Sequence, residues 1–304
     1  MLTVRFMLIC WLLVPSPSHG RDRHRDEPFL PAHRPSDLII EHLGYTLCYS
    51  EEDEQAVWVA YELTGQEAEG RLKRSDDFRA DPKIPTGSAS PDDYKNTGYD
   101  RGHLAPAADM GWSKTAMSES FFMSNMSPQK PALNRGAWKE LEEQVRLWGR
   151  QNGALYVVTG PVLTRKPLDV IGKNRVTVPA AYYKVVVDVR EPGVKGVGFL
   201  MPNAAWKEAL QSAVVPIDSV EKVTGLDFFP ALDDPVEHAV EASIDLAAWT
   251  WPGERVAASE NRPRTSDARR APAAAEKGWK NLALWLLIAL VVIVILLIVL
   301  RRLG

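Results

Sequence analysis

An α+β domain around a largely antiparallel sheet, with flanking helices, is the fold this sequence predicts. Three observations predict it. Short apolar runs of strand character recur at residues 57–63 (VWVAYEL), 155–159 (LYVVT), 182–189 (YYKVVVDV) and 196–201. Helical stretches fall between them without strict strand–helix alternation, which argues against a parallel α/β sheet. At 304 residues and 45% hydrophobic, the chain can bury a sizeable core, and its composition is neither collagen-like nor disordered throughout.

Residues 1–20 read as a secretory signal, with Arg5, an apolar run at 6–14 and a small, turn-forming stretch at 15–20. Residues 21–36 are charged and Pro-punctuated, a flexible, solvated lead-in. The folded domain is expected over 37–252. Within it, the strand at 57–63 ends at Thr64-Gly65, and residues 73–97, polar and containing Pro82, Pro85 and Pro91, read as a long surface loop. Residues 137–150 carry Trp138, Leu141, Val145 and Trp148 at 3-4-3 spacing, one continuous helical stripe. Residues 176–178 are a further short strand, and 204–214, 219–223 and 235–248 are shorter helical candidates. Residues 253–280, rich in Ala, Pro, Arg and Ser, form a flexible linker. Residues 282–300 contain no charge, about the ~20 residues a bilayer crossing takes. Trp279 and Trp285 lie near their start, and Lys277, Lys280, Arg301 and Arg302 flank them. A transmembrane helix over 281–301 is therefore expected, with a short tail at 302–304. Combined with an N-terminal signal, it makes the membrane a partner and places the domain outside the cytoplasm, periplasmic or extracellular. A mitochondrial location is the alternative, and acidic residues in the N-terminal stretch argue against it.

With 36 Lys+Arg against 39 Asp+Glu, the net charge of -3 excludes a generally basic nucleic-acid coat; nucleic-acid chemistry would need a local positive groove. Cys10 and Cys48 are the only cysteines, so there is no disulfide framework. The scattered histidines show no zinc-ligand spacing, and His42 and His238 read as ordinary surface or satisfied polar positions.

The chemistry concentrates in residues 98–110 (GYDRGHLAPAADM) and 121–146 (FFMSNMSPQKPALNRGAWKELEEQVR). A neutral imidazole such as His103 suits proton abstraction from water near neutral pH, and a guanidinium such as Arg101 suits phosphate. Gly102 between them would allow close backbone approach or a sharp turn. Taken singly, a His beside an Arg is more often a surface pair. Asn134 sits where an N-cap is expected; its amide oxygen is also a hard, neutral ligand for Mg²⁺. Glu142 and Arg146 lie at i and i+4 on one helix. They are either an exposed ion pair worth about 0.3–0.5 kcal/mol or groups that meet metal-bound water and phosphate.

Taken together, these stretches closely resemble the DNA/RNA non-specific endonucleases, the ββα-metal nucleases of endonuclease G type. Asp100-Arg101-Gly102-His103 stands as that family's DRGH signature, followed by similar blocks at residues 124–129 (SNMSPQ) and 133–138 (LNRGAW). Glu142 and Arg146 follow Asn134 at the family's spacing, and the similarity extends to Thr159-Gly160-Pro161 and residues 224–229. The resemblance implies a ββα-metal motif inside the α+β fold. It implies His103 as general base, Asn134 as the direct ligand of one Mg²⁺ (Mn²⁺ may substitute), and Glu142 holding the metal's water shell. It further implies Asn125 orienting the site and Arg101 and Arg146 meeting phosphate. An upstream Arg is also implied: Arg74, with Arg79 as rival. DNA and RNA would be bound through phosphate, and a homodimer is compatible with the family. A second reading keeps the fold as a catalytically degenerate binding module. Its hallmark is loss of the base or the ligand, yet His103, Asn134 and Glu142 are all present.

Overall fold

The computed structural model describes residues 29–163, 167–190 and 193–251. The expected signal, linker, transmembrane helix and tail lie outside these residues; among the described residues no helix is long and apolar enough to cross a membrane. In chain order the elements are β1 (Leu38–Glu41), β2 (Thr46–Ser50), β3 (Gln55–Thr64), β4 (Asp100–His103), α1 (Lys114–Glu119), β5 (Met126–Gln129), α2 (Pro131–Asn134), α3 (Ala137–Asn152), β6 (Ala154–Pro161), β7 (Asp169–Ile171), β8 (Val176–Val178), β9 (Ala181–Asp188), β10 (Lys195–Pro202), β11 (Val214–Val215), α4 (Ile217–Thr224) and α5 (Asp234–Glu241).

Seven strands form one antiparallel sheet in the order β1-β2-β3-β6-β9-β10-β11, so the expected fold class holds. Both of its faces are covered. Tyr61, Val157, Tyr182, Val186 and Phe199 point to the face packed by Trp138, Leu141, Val145 and Trp148 of α3. Alternate residues, among them Ala60, Val158, Tyr183, Val185 and Val187, meet Ile217, Val220 and Val240 of α4 and α5 on the other face. This double burial is why the strands read as continuous apolar runs, where a sheet with one wet face would alternate with polar residues.

Helix α3 starts behind Gly136, where a side chain would collide with the Ala132 carbonyl, and ends at Gly153 in a positive-φ conformation. Its apolar stripe is buried as expected, and Thr250 O accepts from Gln144 Nε2 (2.9 Å) and Trp148 Nε1 (2.7 Å), fastening the end of the domain to this helix.

Other expectations need correction. Residues 204–214 are not a helix. Asn203 is pinned by hydrogen bonds to Pro128 O, Pro179 O and Lys130 N, and the chain then reaches β11, which pairs with β10, with only a 3-10 turn at Leu210–Ala213 on the way. Helix α5 stops at Glu241, and Asp245 instead caps a 3-10 turn at Leu246–Ala248. Residues 73–97 are not all surface, since Asp81, Ile84, Ala89 and Tyr94 are buried. Buried His42 meets Asp81 there through Nε2 (2.9 Å), while its Nδ1 has no hydrogen-bond partner, and Asp81 also accepts from Ser124 (2.6 Å). At the N-terminal boundary, Phe29 packs on Tyr156 and Ala32 N bonds Asp227 O, so the fold's contacts begin before residue 37.

Candidate active site

Outside the large sheet, β4 pairs antiparallel with β5 alone, Asp100 opposite Gln129 and His103 opposite Met126. Helices α2 and α3 follow β5 directly, giving the two strands and helix that the motif calls for. Gly102 makes no turn. A side chain at 102 would run into buried Gln129, so glycine is a space requirement of the ribbon.

His103 closes β4 and is 7% exposed. Its ring stands edge-on to Phe121 (4.9 Å between centroids) and Phe78 (5.8 Å), and its Nε2 has no hydrogen-bond partner. The same two aromatic rings hold cations. The Arg101 guanidinium lies 4.0 Å from the Phe78 centroid and that of Arg74 4.7 Å from Phe121. Burial first, then the charges of Arg74 and Arg101, push the imidazole pKa down to about 3. His103 is thus neutral, with a free nitrogen.

The choice between the two upstream arginines follows from geometry. Arg74 acts electrostatically on both His103 and Glu142, which ties the two halves of the site together. Arg79 faces elsewhere: it bonds Asp77 Oδ2 (2.8 Å) and Ser118 O (3.0 Å) and stacks over Phe122.

Asn134 ends α2 and does not cap α3, whose N-cap is Gly136. Its Nδ2 donates to Asp100 Oδ2 (2.9 Å), and Asp100 also accepts from Arg135 Nε (2.8 Å) and Nη2 (2.6 Å). A carboxylate only accepts, so the amide nitrogen must face it and the lone pairs of Oδ1 are left to ligate a cation or accept a hydrogen bond. Despite burial, which pushes it up, the hydrogen bonds from Arg135 and Asn134 hold the Asp100 carboxyl below its usual range. An oriented amide oxygen beside an ionised carboxylate suits a hard divalent cation.

On α3, Glu142 and Arg146 are both half-buried and do not form the exposed pair. Arg146 Nη1 meets Asp109 Oδ1 (2.8 Å), whose Oδ2 accepts from Tyr61 OH (2.9 Å). Burial raises the Glu142 carboxyl well above the ordinary range. Lys184, Arg146 and Arg74 work against that shift, and Asp109 adds to it.

Asn125 orients the chain beside the site. It is fully buried, and its amide serves only backbone: Oδ1 accepts from Ala105 N (2.9 Å), and Nδ2 donates to Ala105 O (2.9 Å) and Ser120 O (2.8 Å). These bonds fix the chain just after His103 and leave nothing for substrate. Elsewhere, Asp218, Glu221 and Glu241 bring carboxylate oxygens within 4.8 Å of one another, but on α4 and α5, across the sheet from this site.

A family model described as DNA/RNA non-specific endonuclease matches residues 33–235. The chain belongs to that family. This non-specific endonuclease family member is 40% identical over 201 residues to mitochondrial endonuclease G of Homo sapiens, covering 62% of this chain and 68% of the relative. It is 32% identical over 224 residues to a nuclease of Nostoc sp., covering 69% and 80%. Among solved structures it is similar to a crystal structure of an EndoG/EndoGI complex, with a TM-score of 0.63, 32% identity, and 68% of this chain and 90% of that one covered.

Four parts of the endonuclease's site escaped sequence reasoning. Phe78 and Phe121 brace the arginines, Asp109 holds Arg146, and Lys184 lies buried against Trp138 of α3. Only the last left a signal, as a charge near the start of the otherwise apolar stretch YYKVVV.

Proposed function

We propose that the chain hydrolyses phosphodiester bonds in DNA and RNA without sequence preference, using a divalent cation, Mg²⁺ or Mn²⁺. The observation that carries this reading is the buried, neutral His103, whose Nε2 is free and whose ring packs on Phe78 and Phe121, the two rings that brace Arg101 and Arg74. His103 takes a proton from the attacking water, and Arg74 and Arg101 hold the phosphate oxygens on which negative charge grows. Arg146, held by Asp109, adds positive charge on the helix side. Asn134 would hold the cation through Oδ1, with Glu142 accepting hydrogen bonds from its water shell. When bound, the ion supplies Lewis-acid stabilisation of the phosphate charge. Contacts to phosphate and sugar alone carry little base information, which supports breadth of substrate. The uncharged run at 282–300 supports tethering of this domain to a membrane, and the N-terminal signal supports its placement outside the cytoplasm.

The test is His103→Ala. Digestion of plasmid and of RNA should fall by about 10²–10⁴-fold with circular dichroism unchanged. A near-normal rate in the purified variant removes the assignment.

A further inference from the structure

The face of the sheet away from the active site carries a second gathering of acidic groups, on α4 and α5. Ile217 and Val220 of α4 pack with Val240 of α5 on that face, which brings the two helices side by side. Asp218 and Glu221, three residues apart, share one side of α4. Glu241 is the last residue of α5. One carboxylate oxygen from each of the three lies within 4.8 Å of the others.

Nothing of opposite sign holds them there. Among the described residues no lysine, arginine or histidine forms an ion pair with any of the three. Glu221 is fixed by the backbone N–H of Phe228, which donates to Oε1 (2.8 Å) and leaves the second oxygen. Glu241 is the telling member: it is 6% exposed, and its buried Oε1 has no hydrogen-bond partner. Its position at the C-terminus of α5 adds the negative end of the helix dipole. A buried, unpartnered carboxylate oxygen among negative groups is costly, and a cation between them removes that cost.

We propose that Asp218, Glu221 and Glu241 hold a calcium ion that clasps α4 to α5, a structural site apart from the catalytic one. Oxygens up to 4.8 Å from one another can all reach an ion that takes its ligands at about 2.3–2.6 Å, as Ca²⁺ does. Mg²⁺ keeps several of its waters and takes one or two carboxylates, so a set of three carboxylates selects the larger ion. Asp218 is exposed and Glu221 half-buried, which gives the ion an entry path and lets water complete its coordination.

The test is thermal unfolding of the full chain in about 10 mM CaCl₂ and in EGTA, with Asn134→Ala in every protein so that the active-site ligand is absent. An affinity of about 10⁻⁴–10⁻³ M, ordinary for shallow calcium sites, should raise Tm by about 3–10 °C. Glu241→Gln relieves the like charges, so in EGTA its Tm should equal or exceed that of the parent, while the rise in calcium should vanish. Calorimetric titration with CaCl₂ should lose one equivalent in the same variant. An absent rise, a rise retained in Glu241→Gln, or an equal rise with MgCl₂ overturns the proposal. If Glu241→Gln does not fold, Asp218→Asn on the exposed side decides, and a calcium response as large as the parent's overturns it. With Asn134 restored, Glu241→Gln should cleave plasmid in Mg²⁺ at the wild-type rate, and a fall in that rate overturns the separation of the two sites. The His103→Ala loss stands whichever way this test falls.

Discussion

At the scale of single residues, the two upstream arginines make opposite demands on experiment. Arg74→Ala removes a phosphate cation and should lower kcat/KM by about 10–100-fold with little change in Tm, in line with about 1.5–3 kcal/mol for a hydrogen bond to a charged group. Arg79→Ala cuts a clamp among Asp77, Ser118 and Phe122 and should lower Tm while kcat/KM moves little. His103 leaves its own mark on stability. Its folded pKa of about 3 lies below the unfolded value of about 6.5, so the unfolded chain binds more protons between those limits. Stability therefore falls as pH drops from about 6.5 toward 3, by at most about 1.4 kcal/mol per pH unit from this group. His103→Asn should flatten that part of a denaturation series.

At the scale of elements, β4 and α2 are joined by the Asp100–Asn134 bond, and the prediction belongs to that joint. Asp100→Ala frees the Asn134 amide to rotate and should raise the Mg²⁺ concentration needed for half-maximal activity by about 10–100-fold. Elements with dense apolar patterning were legible in advance: β3, β6, β9 and β10 and helix α3 all contain the runs that announced them. Strands β4 and β5 were not, because DRGH and MSPQ have no apolar period. They are extended through pairing with each other across the space that Gly102 leaves. Their motif residues were nonetheless readable as chemistry, so the base was found before its strand. Asn125 was legible as an orienting group from its block, and its backbone bonds show that it orients the chain and not the substrate. Asp109 and Phe121 stand inside the two informative stretches, yet the partner of Asp109, Arg146, is 37 residues away and Phe121 carries no charge, so neither announced its role.

At the scale of the whole molecule, a chain of net charge -3 must bind a polyanion through a few local cations. With Arg74 and Arg101 each releasing a counterion from duplex DNA, binding should fall with a log–log salt slope of about -1.8. Cleavage at sub-saturating substrate should then drop about tenfold between 50 and 200 mM salt, and Arg74→Ala should flatten the slope by about 0.9. The same two guanidiniums bear on timing as well as grip. While the cleft is free of nucleic acid, their charges add to burial, the larger cause, in holding the imidazole as a feeble proton acceptor. A backbone laid across them cancels their charge, and the ring gains basicity at that moment. The polymer to be cut thus lifts part of the restraint on the group that cuts it, the part owed to charge and not to burial.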